Sequence, residues 1–175
     1  MMQTSDFLVA MDTYEHFRRI RSKWDESPFH QRLYAHDYYQ RVYFSTHVDT
    51  GYSTKDAMKL KHPTKDHYIS PRMMIRAIMT LRPELLDIPE EFIKYFHICQ
   101  HTVNVTPNEN LGVRFKNTDD DIQISELTIH KYNHTCWFHP SRGLLVDVKT
   151  KTPAPFPLTD TIPDFFTQYE QSLLR

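Results

Sequence analysis

The adjacent pair Asp66-His67 and the downstream Asn110 have residue types and an order that suit hydrolytic chemistry. The pair lies near the end of an extended, basic stretch, and Asn110 follows the helix start Thr106-Pro107. Carboxylate and amide oxygens bind hard divalent cations, and a neutral histidine is an effective base near physiological pH. A cation that neutralises phosphate charge, beside a base that activates water, is sufficient to hydrolyse a phosphodiester bond.

The elements that must position these residues are two strands and a helix. Residues 65–69 are predicted to be a short strand, and the alternation of polar and apolar residues over 102–105 predicts a second one. Between them, helices are predicted from Pro71 to before Pro83 and from Pro89 to about Cys99. Three helix starts share an N-cap hydroxyl followed by a proline at the first helical position. They are Ser27-Pro28, Ser70-Pro71 and Thr106-Pro107.

Outside this region, helices and strands are mixed without a regular βαβ rhythm, which favours an α+β class. The patterns predict helices over 12–24, 28–41 and 162–174, strands over 42–46, 122–128, 135–138 and 144–148, and a turn at 49–52. Ser141-Arg142-Gly143 is expected to join the last two strands in an antiparallel hairpin. Only three glycines occur, which excludes P-loop and Rossmann phosphate sites.

The charge of the chain is unevenly distributed. The 175 residues have a net charge of -1, but residues 1–82 hold 13 basic against 9 acidic side chains and residues 83–175 hold 8 against 13. Residues 55–82 hold 7 basic and 2 acidic side chains. This excess of positive charge indicates either a phosphate-binding face or a merely solvated surface. The candidate phosphate-binding residues are Lys59, Lys61, Lys65, Arg72 and Arg76.

Composition indicates a single domain over 1–175, with 39% hydrophobic residues and no apolar run long enough to span a membrane. With no signal-peptide pattern at the start, we expect a cytoplasmic protein without a membrane partner. The cysteines Cys99 and Cys136 are expected to be reduced thiols. The alternative is a mixed zinc site that combines Cys99 with His97 or His101.

A strand that carries Asp66-His67 is followed along the chain by a second strand and then by a helix that carries Asn110. This order of elements resembles that of the ββα-metal (HNH) nuclease family. This form of the motif, with Asp-His on the strand and Asn on the helix, is most similar to the endonuclease VII type and to free-standing phage homing endonucleases. The resemblance covers about residues 61–116, with the helices of 71–99 as an insertion between the strands. The structural zinc cysteines of the endonuclease VII type are missing from this chain.

The resemblance implies a metal-dependent endonuclease that acts on double-stranded DNA, and a homodimer is one arrangement that it allows. If phage-encoded, it would act in the host cytoplasm as a homing or mobile-element enzyme. His67 would be the general base, and Asp66 and Asn110 would bind one Mg²⁺ or Mn²⁺. Residues 1–60 and 117–175 would supply DNA-binding and supporting elements.

Several alternatives stay open at this point. The helix ligand could be Asn108 or Asn104 instead of Asn110, and the substrate could be RNA or branched DNA. His47 and His62 could bind phosphate or water near the site, or be ordinary surface histidines. The run 119–121 of three aspartates is expected to be a solvated turn. A non-enzymatic, phage-type factor that binds nucleic acid or protein through an aromatic surface is the alternative function.

Overall fold

The computed structural model describes residues 4–112, 114–115, 137–138 and 145–154. It mixes helices with a small sheet, so the expected α+β class is confirmed. The helices are α1 (Thr4–Ile20), α2 (Pro28–Tyr43), α3 (Pro71–Leu81), α4 (Pro89–Cys99) and α5 (Pro107–Gly112). The strands are β1 (Val48–Thr54), β2 (Thr64–His67), β3 (His101–Val105), β4 (Arg114–Phe115), β5 (Trp137–Phe138) and β6 (Leu145–Asp147). Short 3-10 helices cover Arg21–Glu26, Ala57–Lys59 and Pro83–Asp87.

The predicted proline-led helix starts are confirmed at α2, α3 and α5. At α2 the Ser27 hydroxyl accepts a hydrogen bond from the backbone N–H of His30 at 3.2 Å, which satisfies an otherwise unpaired donor. At α3 the Ser70 side chain makes no capping hydrogen bond to the helix. Prolines also set the other boundaries, because α3 ends before Pro83 and α4 begins at Pro89.

The main sheet has four strands in the order β2-β3-β1-β6. β2 runs antiparallel to β3, with Asp66 opposite Val103 and His67 opposite Thr102. β3 is parallel to β1, and β1 is antiparallel to β6. The predicted strands at 65–69 and 102–105 are therefore neighbours, although the helical segment 71–99 separates them in sequence.

Aromatic rings of α1, α2 and α4 pack against one another in the core. The Tyr38 ring packs edge-to-face on Phe17, Phe92 and Phe96, with centroid distances of 5.4, 6.1 and 5.9 Å. α2 also packs on α3, which brings the insertion against the N-terminal helices. The apolar residues expected to be buried on the inserted helices are buried: Met74, Ile78, Phe92 and Phe96.

The prediction for the first helix start is wrong. α1 already includes Thr4, so Asp12 lies inside the helix and cannot cap it. Its carboxylate instead accepts a hydrogen bond from Arg41 of α2 at 2.7 Å. α1 ends at Ile20, and the chain continues as a 3-10 helix in which Trp24 is buried.

The predicted strand at 42–46 is also wrong, because Val42 and Tyr43 complete α2. Val42 is fully buried on the packed face of that helix, and tertiary packing overrides its β-propensity. The strand begins later, at Val48, and includes the region 49–52 that was expected to be a turn. Gly51, at φ 77°, lies within a register irregularity of β1, so the glycine supports a bulge in the strand instead of a chain reversal.

The predicted C-terminal hairpin is not formed by the described parts of its two strands. Trp137–Phe138 pairs with Arg114–Phe115 in a separate two-stranded sheet. Leu145–Asp147 instead pairs with Tyr52–Thr54 at the edge of the main sheet. The predictions for 119–121, 122–128, 141–143 and 162–174 lie outside the described residues, as does Cys136. Over the ranges that are described, no helix has the length and apolar character needed to cross a bilayer.

Candidate functional site

The candidate site lies where β2, β3 and α5 meet. β2 carries Asp66 and His67, and the antiparallel β3 leads through Thr106 directly into α5. This connection returns the chain to the edge of β2, so α5 contacts that strand. The sheet therefore closes the sequence distance between the Asp-His pair and the asparagine.

Asn110 of α5 reaches the carboxylate of Asp66. When the side-chain amide is oriented with its NH₂ toward the carboxylate, as hydrogen bonding requires, the nitrogen lies 3.2 Å from Oδ2 and 3.3 Å from Oδ1 of that residue. Asp66 is only 8% exposed, so its carboxylate lies in a sheltered position beside the Asn110 amide. Among the three candidate asparagines, Asn108 is exposed on α5 and Asn104 lies opposite Lys65 in the sheet. The structure thus brings Asn110 to Asp66.

A capping box fixes the start of α5 and hence the position of Asn110. The Glu109 carboxylate accepts from the backbone N–H of Thr106 at 2.8 Å, and the Thr106 hydroxyl accepts from the N–H of Glu109 at 3.1 Å. The same carboxylate accepts from the hydroxyl of Thr54 at the end of β1, at 2.7 Å. The helix is therefore tied both to its own first turn and to the sheet.

Glu109 and Thr54 were missed by the reasoning from sequence. The spacing Thr106-x-x-Glu109 is a capping-box signal that could have identified Glu109. The role of Thr54 has no such signal, because the pairing depends on how β1 meets α5 in space.

His67 is oriented by a backbone carbonyl at the end of α4. Its ring nitrogen Nδ1 lies 2.8 Å from the carbonyl oxygen of Cys99, and the residue is 5% exposed. A carbonyl oxygen can only accept, so Nδ1 carries the proton in this contact. In the neutral ring the lone pair then lies on Nε2, which is the form a general base requires.

Two aromatic side chains pack around His67. The His47 ring stands edge-to-face at a centroid distance of 4.9 Å, and the Tyr39 ring at 6.1 Å. The Nε2 of His47 is buried and has no hydrogen-bond partner within the described residues. His62, the other flanking histidine, is exposed.

Tyr39 of α2, which the sequence did not indicate, lies between the site and the basic residues. Burial raises the pKa of its phenol, Tyr43 raises it further, Arg72 lowers it and the Asp66 carboxylate raises it. The guanidinium carbon of Arg72 lies 5.0 Å from the centre of the Tyr39 ring. Tyr39 is therefore within electrostatic reach of both the candidate site and an arginine of α3.

The five predicted basic residues differ in their surroundings. Lys59 pairs with Asp56 at 2.6 Å and Lys65 pairs with Asp49 at 3.0 Å, so carboxylates already offset both charges. Lys61 is exposed on the loop before β2. Arg72 and Arg76, one turn apart on α3, line a groove between α3 and α2.

Among the residues that the structure describes, Cys99, His97 and His101 are not grouped as the alternative zinc site requires. The Cys99 thiol is fully buried beside Tyr38, and burial raises its pKa far above the usual range, which disfavours a thiolate ligand. His97 contacts the Gln100 side chain at 2.5 Å, and His101 contacts the carbonyl oxygens of His97 and Ile98. Within the described ranges, no three His, Cys, Asp or Glu side chains are grouped to hold a metal ion.

The donors of the candidate site suit a different kind of cation. One carboxylate and one amide oxygen are hard ligands, which Mg²⁺ and Mn²⁺ prefer over the sulfur and nitrogen ligands of zinc. Mg²⁺ commonly keeps several waters and takes only one or two protein ligands together with substrate phosphate oxygens. The pair Asp66 and Asn110 fits that pattern.

Searches against protein-family models, curated proteins and solved structures found no significant match to this chain.

Proposed function

We propose that this protein is a divalent-metal-dependent DNA endonuclease with a ββα-metal type of site. The observation that carries the proposal is the contact between the Asp66 carboxylate and the Asn110 amide, at 3.2 and 3.3 Å. Two residues far apart in sequence meet in a sheltered position, and the next residue along β2 is a histidine with a defined tautomer. In this proposal β2, β3 and α5 are the catalytic core, and α3 and α4 are inserted between its strands.

Asp66 and Asn110 would hold Mg²⁺ or Mn²⁺ through their side-chain oxygens. In the hydrogen-bonded orientation the NH₂ of Asn110 faces the carboxylate, so the amide would present its oxygen instead when a cation is bound. The cation would supply neutralisation of the negative charge that develops on the phosphate and the leaving oxygen. Asp66 contributes the negative charge that attracts the cation, and Asn110 adds an oxygen without further charge.

His67 would act as the general base. With Nδ1 committed to the Cys99 carbonyl, Nε2 would accept a proton from the water that attacks the phosphorus. The carbonyl would then stabilise the imidazolium that results, because Nδ1–H remains its donor. The bond that breaks is the P–O bond to the leaving oxygen.

The direct test is incubation of the full chain with supercoiled plasmid DNA in the presence of Mg²⁺ or Mn²⁺, with EDTA as the control. Nicked or linear products that require the metal and disappear with EDTA support the proposal. The assignment is overturned if the plasmid stays intact with either metal while calorimetry shows that neither metal binds. Parallel reactions with RNA and with branched DNA identify the preferred substrate.

A non-enzymatic binding protein is the second candidate, and one observation favours it. Apolar side chains on and just after α2 are exposed, including Phe29 at 63%, Leu33 at 48% and Phe44 at 78%. Phe29 and Leu33 are one turn apart and share a helix face, as in helices that dock on a partner. Such a protein has no need of a divalent cation, so the metal titration separates the two functions.

A further inference from the structure

A groove with a cavity of about 410 Å³ lies between α2 and α3. Its polar lining consists of Arg32 and His36 of α2, Ser70 just before α3, and Arg72 and Arg76 of α3. Three arginines thus line one concave surface, although they come from two helices that are far apart in sequence.

The arginines of this groove differ from several others in the described part of the chain, because no carboxylate there pairs with them. Within the described residues, Arg32, Arg72 and Arg76 form no ion pair. Other arginines do, as the pair of Arg41 with Asp12 at 2.7 Å illustrates. Like charges that share a concave surface raise the local potential and favour an anionic ligand.

Arg72 is held in place by two neighbours on α2. Its Nη2 lies 3.0 Å from Nδ1 of His36, and its guanidinium carbon lies 5.0 Å from the centre of the Tyr39 ring. Because a guanidinium donates only, His36 accepts at Nδ1. A planar guanidinium fixed in this way can present two parallel N–H groups to a phosphate at low entropic cost. The groove also includes Ser70, whose side chain makes no capping hydrogen bond to α3, and the N-terminus of a helix favours negative charge.

We propose that this groove binds the phosphodiester backbone of the DNA strand that the candidate site cleaves. The proposal rests on the proposed nuclease function and adds Arg32 and His36 to the substrate-binding surface. Arg72 contacts Tyr39, and the Tyr39 ring lies 6.1 Å from that of His67, so the groove adjoins the site.

The test is the salt dependence of DNA binding, measured in EDTA so that cleavage does not enter. Fluorescence anisotropy with a labelled, mixed-sequence duplex compares the wild type with the variant Arg32→Gln/Arg76→Gln. Each lost phosphate contact should reduce the slope of log K against log[salt] by about 0.9, so the double variant should lose about two units of slope. The matched control is Arg21→Gln/Arg82→Gln, whose guanidinium groups already pair with Asp87 and Glu84. It removes the same charge and should leave the slope unchanged.

The outcomes separate this proposal from the proposed function. A flattened slope in the groove variant alone supports the groove, even if the wild type never cuts plasmid. An unchanged slope, or equal loss in both double variants, overturns the groove even if the protein is a nuclease. Absence of duplex binding by the wild type at low salt overturns it as well.

A second measurement uses only the wild-type protein and does not depend on variant folding. Phenylglyoxal modifies accessible arginines, and mass spectrometry identifies the modified positions. With the duplex bound, Arg32, Arg72 and Arg76 should be protected while Arg18, exposed on α1, stays reactive. Equal modification of the groove arginines with and without DNA overturns the proposal.

Discussion

The imidazole Nδ1 of His67 lies 2.8 Å from the carbonyl oxygen of Cys99. This contact joins the last residue of β2 to the last residue of α4, so the inserted helices help to orient the proposed base. The backbone of Cys99, and not its thiol, is therefore the part of that residue that the site uses.

Replacement of His67 by Gln should abolish cleavage with little effect on DNA binding. Glutamine retains an N–H donor for the Cys99 carbonyl but cannot accept the proton, and a general base typically contributes on the order of 10²–10⁴-fold in rate. Single-turnover cleavage and metal-free anisotropy measure the two properties separately. His62→Gln, at an exposed position on the adjoining loop, is the control. Cleavage by His67→Gln at the wild-type rate would show that another group is the base.

Metal affinity should depend on Asp66 more than on Asn110. Asp66→Asn keeps the shape of the side chain but removes its charge, so Mn²⁺ affinity should fall by roughly tenfold or more, ~1.4 kcal/mol. Asn110→Ala removes a neutral oxygen and should cost less. Calorimetric titration measures both, with Asn108→Ala as the control on the exposed side of α5. Unchanged affinity in both site variants would disprove the proposed metal site.

Loss of the Glu109 carboxylate should loosen α5 and, through Asn110, lower metal affinity. Glu109→Ala removes the bonds to the Thr106 N–H and the Thr54 hydroxyl, which should cost about 1–2 kcal/mol of stability. Glu109→Gln retains one acceptor oxygen and should recover part of that loss. Urea denaturation measures the stability, and Glu90→Ala in the first turn of α4 is the control. Equal stability of Glu109→Ala and wild type would contradict this role.

Stability should decrease as the pH falls below the ordinary pKa of histidine. Burial lowers the pKa of His97 and of His101 in the folded protein, so the unfolded chain binds more protons at mildly acidic pH. The contribution of these two neutral side chains to the free energy of unfolding is complete above about pH 6.5. It is lost as the pH falls from there through the pKa values that the two side chains have in the folded protein. Thermal unfolding between neutral pH and about pH 5 should show a falling Tm.

The variant His97→Gln/His101→Gln isolates the cause of that pH dependence. Glutamine does not titrate, so the double variant should have a flatter dependence of Tm on pH, whatever its stability at neutral pH. His62→Gln, at an exposed position, should follow the wild type. An equally steep decline in the double variant would assign the effect to other groups.

The sequence by itself determined the elements whose boundaries carry a local signal. Prolines and hydroxyl caps are read within a few residues, because they act on the backbone angles and unpaired N–H groups of their own turn. For that reason the starts of α2, α3 and α5 and the strands β2 and β3 were predicted close to their observed positions. The α+β class followed from the same local patterns.

Only the tertiary structure decided which of these elements meet. The preference of Val42 and Tyr43 for a strand contributes little to the free energy of the fold. Burial of Val42 among the packed helices contributes more, so the two residues are helical. The partners of Leu145–Asp147 and Trp137–Phe138 depend on sheet pairings with distant strands, which a nearby turn sequence does not determine. The same reason applies to the site, because the meeting of β2, β3 and α5 brings Asn110 to Asp66, instead of Asn104 or Asn108. It applies to the groove as well, because the packing of α2 on α3 brings Arg32 to Arg72 and Arg76.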